Sequence, residues 1–523
     1  MPVTVSYPGL YLEELHSNAH SIISAPTSIA VFVGYSHPFQ TAATTFGQPV
    51  RVSGFSDFER SFGGLYVSSA LDCNLGHAVN QFFLNGGSDA YVVGLKAAYQ
   101  FAGGLSQPIV AASQNLATIA GGITFTAKEP TDHPSTVLTI TISNVRKSAA
   151  GGPLDLADYT VTYGRRIESF RGVPLSAGGF DDVNKRSSLI AVSPQGGNYG
   201  TGYVGAIIPP IPLATVLPAN LVGTFSALDY TDVFQADQPL DKIQIFNLLL
   251  TPGVSDNGVL SAALAFAERK QAFVIMDPPP NAGADANLGV PANDMDAVFK
   301  SGVIPTSANG ALYFPYLKTQ DPLSGDPMNL PPSGFVAGVI ARIDASRGVW
   351  KAPAGLEAVV KNTTGVVQSG RMTDPRQGVL NLTGINCLRT FNGIGTVVFG
   401  SRTLVSANVA FQDSKYVPVR RMTLFLEQTL LQNLKWVVFE PNDEPLWIAI
   451  RMTIENFMLS LFNQGALQGS TPSQAFQVTC DKTTTTPDDQ AQGIVNIVVA
   501  FAPLKPAEFV IIKIAHLAGQ SQS

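Results

Sequence analysis

A strand, helix, strand pattern that breaks off near residue 101 and resumes near residue 236 constrains this chain more than any other feature. SIAVFVG (28–34) and AYVVGL (90–95) are short apolar runs bounded by glycine or polar residues, as expected of strands buried on both faces. Between them, LGHAVNQFFLNGG places Leu75, Val79, Phe82 and Phe83 at helical spacing and closes on Gly86-Gly87, a helix C-terminal signal. From 101 to 235, Gly, Ser, Thr and Ala dominate, and the alternation in ITFTAKE, TVLTITISN and DYTVTYG reads as strand. KIQIFNLLL (242–250), a helix in NGVLSAALAFAERK and the strand QAFVIMD then restore the first pattern. One α/β domain split by a mostly β insertion is the economical reading.

Farther on, PPSGFVAGVIARIDASRGVWKAPAG has small residues at every third or fourth place after PPSG, which predicts a loop followed by a tightly packed helix. VRRMTLFLEQTLLQNL (419–434) reads as a helix and WVVF after it as a strand. A second helix follows over 445–463, with Asp443 as its cap, Pro445 in its first turn, and Ile450, Ile454, Met458 and Leu461 in one apolar stripe. GIVNIVVAFA (493–502) and EFVIIKI (508–514) read as closing strands, and the prolines of PLKPA between them make a tight hairpin a poor fit. The expected fold class is therefore α/β and α+β multidomain. Its parts are an arm and linker over 1–24, a split α/β core over 25–100 and 236–375, the β insertion over 101–235, an α+β unit over 376–502, and a linker and arm over 503–523.

Charged residues make up only 13% of the chain, about half the usual share, so much of the surface must be neutral or covered by partners, which favours an assembling protein. The formal net charge of -6 offers no basic stripe for a nucleic-acid backbone. Cys73, Cys387 and Cys480 are odd in number and far apart, which suits buried thiols in a reducing compartment. The first residues lack the basic and apolar regions of a secretory signal, so cytoplasmic assembly is expected. The uncharged run from Ser187 to Leu228 is broken by Pro209, Pro210, Pro212 and Pro218, which predicts an extended loop and no membrane insertion.

Chemistry finds no footing. His16 and His20 have the spacing of a zinc pair but sit outside any helical pattern and lack a third ligand nearby. His37, His77, His133 and His516 are scattered, and Cys73 with His77 reads as one helix face. Gly393, Gly395 and Gly400 have the wrong spacing for a dinucleotide loop, and Glu440, Asp443 and Glu444 suit a helix start. No catalytic residue, metal ligand or cofactor is expected.

Both ends of the chain read as strands without a partner: Tyr7, Pro8, Gly9, Leu10, Tyr11, Leu12 and Glu13 at one, and Glu508, Phe509, Val510, Ile511, Ile512, Lys513 and Ile514 at the other. These stretches belong to a set of ordered matches: YPGLYLEEL with TSIAVFVG; FFLNGGSDAYVV; PPSGFVAGVIARIDASRGVWKAPAG; GINCLRTF through VPVRRMTLFLEQTL and WVVFEPNDEPLW; and ENFMLSLF, ALQGSTPSQAFQVTCDKTTTT and KPAEFV. In them the sequence resembles the tail sheath proteins of contractile phages and of phage-tail-like contractile injection systems. Residues 101–235 lie outside the resemblance.

The resemblance implies a structural, non-enzymatic subunit that stacks in hexameric rings around an inner tube, and contracts to drive that tube through a target envelope. Its partners would be itself, the inner tube protein, and baseplate and terminal cap proteins. The insertion would lie outside and the C-terminal unit inside, with Arg451 and Glu455 as possible tube-facing residues. Both arms would complete small sheets of neighbouring subunits, Val495, Ile497, Val499 and Phe501 forming the receiving sheet. That is β-augmentation. The rival readings are another structural subunit of the same particle and a cytosolic α/β enzyme; the second needs a pocket of convergent titratable groups.

Overall fold

The computed structural model describes residues 21–68, 73–101, 111–118, 121–148, 154–195, 203–216, 221–279, 295–367 and 373–513. They divide into two compact units, one of Thr27–Arg347 with Ala352–Arg420, the other of the chain before residue 27, Gly348–Lys351 and the chain from Arg421 onward.

The first unit is built on an eight-stranded sheet. Its strands are β1 (Ala30–Tyr35), β2 (Pro49–Val52), β3 (Ala90–Leu95), β4 (Leu248–Leu250), β5 (Phe273–Met276), β6 (Gly310–Phe314), β7 (Ile385–Phe391) and β8 (Gly395–Val398), in the order β2-β3-β1-β4-β5-β6-β7-β8. All neighbours are parallel except the two edge pairs, β2 with β3 and β7 with β8. Ala30 of β1 lies opposite Ala90 of β3 on one side and Leu248 of β4 on the other. The strands before and after the long interruption thus meet across one central strand. β1 is buried throughout, as are β4, β5 and β6, which is why these segments are continuous apolar runs rather than alternating ones.

Helix α1 (Asn74–Asn85) ends on Gly86, whose φ of 119° is left-handed backbone that glycine alone adopts without strain. Helices α2 (Asn257–Arg269) and α3 (Ser333–Arg347) follow in the second half. α3 packs on α1 through Gly334 and Gly338. A Cβ built on Gly338 would stand 2.5 Å from the Phe82 carbonyl oxygen and 2.6 Å from the Asn85 Cβ. The small-residue spacing of GFVAGVIARIDAS is therefore what lets two backbones approach this closely.

β7 and β8 hold residues 385–398 in this sheet, through Leu312–Ile385 and its neighbours. A boundary at 376 would cut between strands that share hydrogen bonds; the compact unit runs on to Arg420. In KIQIFNLLL only Leu248–Leu250 is strand.

Between β3 and β4 the chain forms small antiparallel sheets around a core of its own, including Phe125, Tyr159, Phe170 and Phe180. The uncharged proline-rich run is not wholly loop, because Ile190–Gln195 and Ile211–Leu213 are strands at sheet edges. Pro194 and Pro212 are tolerated there since an edge strand leaves one side of its backbone unpaired.

The second unit packs helix α4 (Val417–Asn433), from Arg421 on, with helix α5 (Glu444–Asn463). Ile450, Ile454, Met458 and Leu461 are all buried, together with Met422, Phe425, Trp447 and Phe457. WVVF is not a strand. Lys435–Val437 is a 3-10 turn, the Glu440 N–H donates to the Val437 carbonyl, and Phe439 sits at φ 73° with its side chain fully exposed. These turns take up the local backbone donors, and among the described residues no strand pairs with the segment. Asn433 also brackets the early chain: the Ile23 N–H donates to its Oδ1 at 3.0 Å and its Nδ2 donates to the Ile23 carbonyl at 2.8 Å.

Candidate functional site

Strands β9 (Phe476–Thr479) and β10 (Val498–Phe501) form an antiparallel two-stranded sheet, Val478 opposite Val499. Among the described residues neither has a second strand neighbour. Val495, Ile497, Val499 and Phe501 are half-buried and turn alternately onto the core of the second unit, so one face of this segment is apolar and packed. The expected strand over 493–502 is nonetheless shorter. The Ile494 N–H is held by the Asp489 carbonyl at 2.8 Å and the Asn496 N–H by the Thr485 hydroxyl at 3.0 Å, so Val495 and Ile497 precede the ladder rather than join it.

Beyond Pro503, residues 508–513 belong to no strand of this chain, and Ile514 lies outside the described residues. Phe509, Val510, Ile511 and Ile512 are 72–82% exposed. Four consecutive large apolar side chains in water are an unfavourable arrangement for a solitary protein, since covering each would gain about 1.5–3 kcal/mol. The first arm, Tyr7, Pro8, Gly9, Leu10, Tyr11, Leu12 and Glu13, also lies outside the described residues, as do His16 and His20.

Arg451 and Glu455 stand one turn apart on the exposed side of α5, with Nε and Oε1 4.0 Å apart. An exposed pair of this kind contributes little to stability. Asp443 caps α5, its carboxylate accepting from the Leu446 N–H at 3.1 Å, and Glu444 sits in the first turn within 3.4 Å of Lys482. Cys73 and His77 lie at the start of α1, both buried. The FNGIGTVV segment is the hairpin joining β7 to β8. Among the described residues no three His, Cys, Asp or Glu side chains group as metal ligands, and no helix is long and apolar enough to cross a membrane.

The α/β sheet has one place where a ligand would ordinarily bind, the crevice where strand order reverses between β1 and β4, with helix N-termini facing an anion. At the ends of the neighbouring strands β4 and β5, a carboxylate of the chain itself takes up such donors. Asp277, the residue after β5, accepts from the Ser333 N–H at 2.7 Å, the Ser333 hydroxyl at 2.6 Å and the Gly253 N–H at 2.9 Å. Its carboxylate takes up the first N–H of α3, and Asp256 caps α2, accepting from the Val259 N–H at 3.0 Å. Sequence reasoning did not single out Asp277, because its partners lie at positions 253 and 333.

Burial raises the Asp277 pKa to about 6 against the pull of those bonds. A raised carboxyl contributes stability that is complete below the unfolded value near 3.8 and lost as pH rises through 6, roughly 3 kcal/mol in all. Asp277→Ala is expected to cost about 3–5 kcal/mol at pH 7, by orphaning two N–H groups and a hydroxyl, and to flatten the pH 4–6 dependence of denaturant midpoints.

Residues 223–404 match the family described as phage tail sheath protein, central domain, and residues 411–515 match the phage tail sheath C-terminal domain. The chain is 27% identical over 269 residues to a putative prophage major tail sheath protein of Pseudomonas aeruginosa (strain UCBPP-PA14), covering 50% of this chain and 62% of that one. It is 28% identical over 162 residues to the tail sheath protein of Burkholderia phage BcepMu, covering 30% and 33%. Both alignments span less than two thirds of the relative's length. Among solved structures, the contracted sheath complex of the extracellular contractile injection system PVC has a TM-score of 0.59 at 21% identity, covering 98% of each chain. The contracted helical sheath of the anti-feeding prophage has a TM-score of 0.57 at 23% identity, covering 98% of this chain and 99% of that one. At these identities the likeness is one of fold.

Proposed function

We propose, from the premise that this chain belongs to the phage tail sheath protein family, that it polymerises by strand exchange into a contractile sheath and works without catalysis. The observation that supports the reading is that the same chain carries a segment suited to donate a strand and a sheet suited to accept one. Phe509–Ile512 is an exposed apolar segment outside any strand, and β9–β10 is a sheet of only two strands on a packed core. A strand delivered by a neighbour satisfies ladder hydrogen bonds at about 1 kcal/mol net each and covers apolar side chains. One joint is modest; many in a lattice are strong. The arm at 7–13 is proposed as the second donor, with residues 16–24 and 503–507 as linkers that change direction while strands remain paired. Rings of six stack around an inner tube, start from a baseplate and end at a cap, and contraction repacks the same rigid units in a lower free-energy arrangement. Assembly takes place in the cytoplasm, and the α5 surface around Arg451 and Glu455 faces the tube.

Deleting residues 1–15 is expected to leave a subunit with an unchanged melting temperature that forms no cylinders in negative stain, while the full chain gives long hollow striated ones. Monodisperse particles of the 55.3 kDa subunit from the full chain would overturn the sheath reading. Normal cylinders from the deleted chain would overturn the role of the first arm alone.

A further inference from the structure

Two buried histidine–carboxylate pairs tie the β insertion to the rest of the first unit, one beside the eight-stranded sheet and one at a separate three-stranded sheet. His37, just past β1, meets Glu129 at 3.1 Å, and His133 meets Asp321, in the turn between strands Leu317–Gln320 and Pro327–Leu330, at 2.9 Å. All four side chains are 2–6% exposed. Glu129 and His133 lie on one short segment, 128–135, that leaves the insertion strand Gly121–Ala127. On that segment Asp132 accepts from the Tyr66 hydroxyl at 2.8 Å and from the Ser68 hydroxyl, and the Ser135 hydroxyl donates to Asp326. The Gln40 amide donates to Glu129, Arg166 stands 3.6 Å from it, and the Arg165 N–H donates to the Leu323 carbonyl at 2.8 Å. The apolar core of the insertion is separate from that of the sheet. Polar contacts, more than shared apolar burial, therefore hold the joint.

His77 of α1 completes the cluster. It is buried, neither ring nitrogen has a hydrogen-bond partner, and Asp321 and His133 are the groups that act on it electrostatically. We propose that this joint is an acid-operated latch, at which the insertion comes loose from the sheet as a unit while the sheet itself stays folded. Opening uncovers His77 to water and so to protonation.

Burial holds the closed-state pKa of His77 down at about 4, against 6.5 in water. A depressed histidine favours opening as pH falls from 6.5 toward 4, by roughly twentyfold between pH 7 and pH 5. The carboxylates resist until lower pH. Burial would raise Asp321, but the bonds from His133, the Leu323 N–H and Ser324 hold it at about 2, and Glu129 is likewise held low, against burial, chiefly by His37. Burial raises Asp132, which opposes opening in acid. Hydrogen bonds from Ser135 and Ser324 keep Asp326, at the rim, low. Asp277, at the end of β5, has the opposite sign to His77 and so does not contribute to loosening the sheet in acid.

Hydrogen exchange on the full chain, corrected for intrinsic rates, tests this. Peptides spanning 121–135 and 155–163 are expected to open more at pH 5 than at pH 7, by up to about twentyfold with Asp132 opposing, while those spanning β4 and β6 do not change. His77→Leu, or His77→Gln should the leucine variant misfold, is expected to abolish the acid response, and Asp321→Asn to loosen the joint already at pH 7. Simultaneous loss of protection in insertion and sheet would overturn the latch. So would an acid response that survives removal of His77.

Discussion

Gly338→Val is expected to abolish soluble, folded protein. The added Cβ would lie 2.5 Å from the Phe82 carbonyl oxygen and 2.6 Å from the Asn85 Cβ, and the first of these is backbone that cannot rotate away. Overpacking a core typically costs 1–3 kcal/mol when side chains can shift. Here relief requires α1 and α3 to separate along their contact, where Gly86 also packs on Arg342. The expected cost is therefore on the order of 5 kcal/mol or more, comparable to the stability of a whole domain. Gly178→Ala is the matched control. It lies in the helix Ala177–Arg186 with nothing within 4 Å of the position a Cβ would take, so alanine is expected to stabilise by about 0.5–1 kcal/mol. Soluble yield and urea midpoints read both. A Gly338→Val protein with the wild-type midpoint would mean that the two helices do not pack as described.

That contact was legible in the sequence, since glycine and alanine at 334, 337, 338 and 341 leave a helix with little to offer except close approach. The buried strands were legible for a similar reason: a run such as AVFVGY has no polar face to present to water. Legibility fails where a residue's role depends on partners distant in sequence. Asp277 reads as the end of a strand until Ser333 arrives above it. His37 and His133 read as scattered until Glu129 and Asp321 face them, 92 and 188 positions away by the numbering. WVVF misleads because β propensity describes a residue's fit to a sheet, and among the described residues no strand lies beside it. The closing strand is shorter than the 493–502 its periodicity suggests because a backbone carbonyl, Asp489, and one side-chain hydroxyl, Thr485, take up N–H groups before Val498, and periodicity registers neither.

Proline scanning of the second arm separates assembly from folding. Val510 and Ile511 are about 80% exposed, so Val510→Pro and Ile511→Pro are each expected to leave the stability of the isolated subunit within about 0.5 kcal/mol of wild type. Successive N–H groups of an extended strand point to opposite sides. If the segment pairs with an edge of β9–β10, one of the two prolines must delete a ladder donor and press its ring into the receiving strand, whereas the other points its missing N–H away. One variant is therefore expected to stop polymerisation, and its neighbour to weaken it far less. Each subunit adds its own joint to the lattice, so a loss of about 2–3 kcal/mol at one joint shifts the critical concentration by roughly one to two orders of magnitude. Pelleting of cylinders against subunit concentration measures this shift. Equal, wild-type polymerisation by both variants would remove the strand-exchange role of residues 508–514, whatever else holds the sheath together.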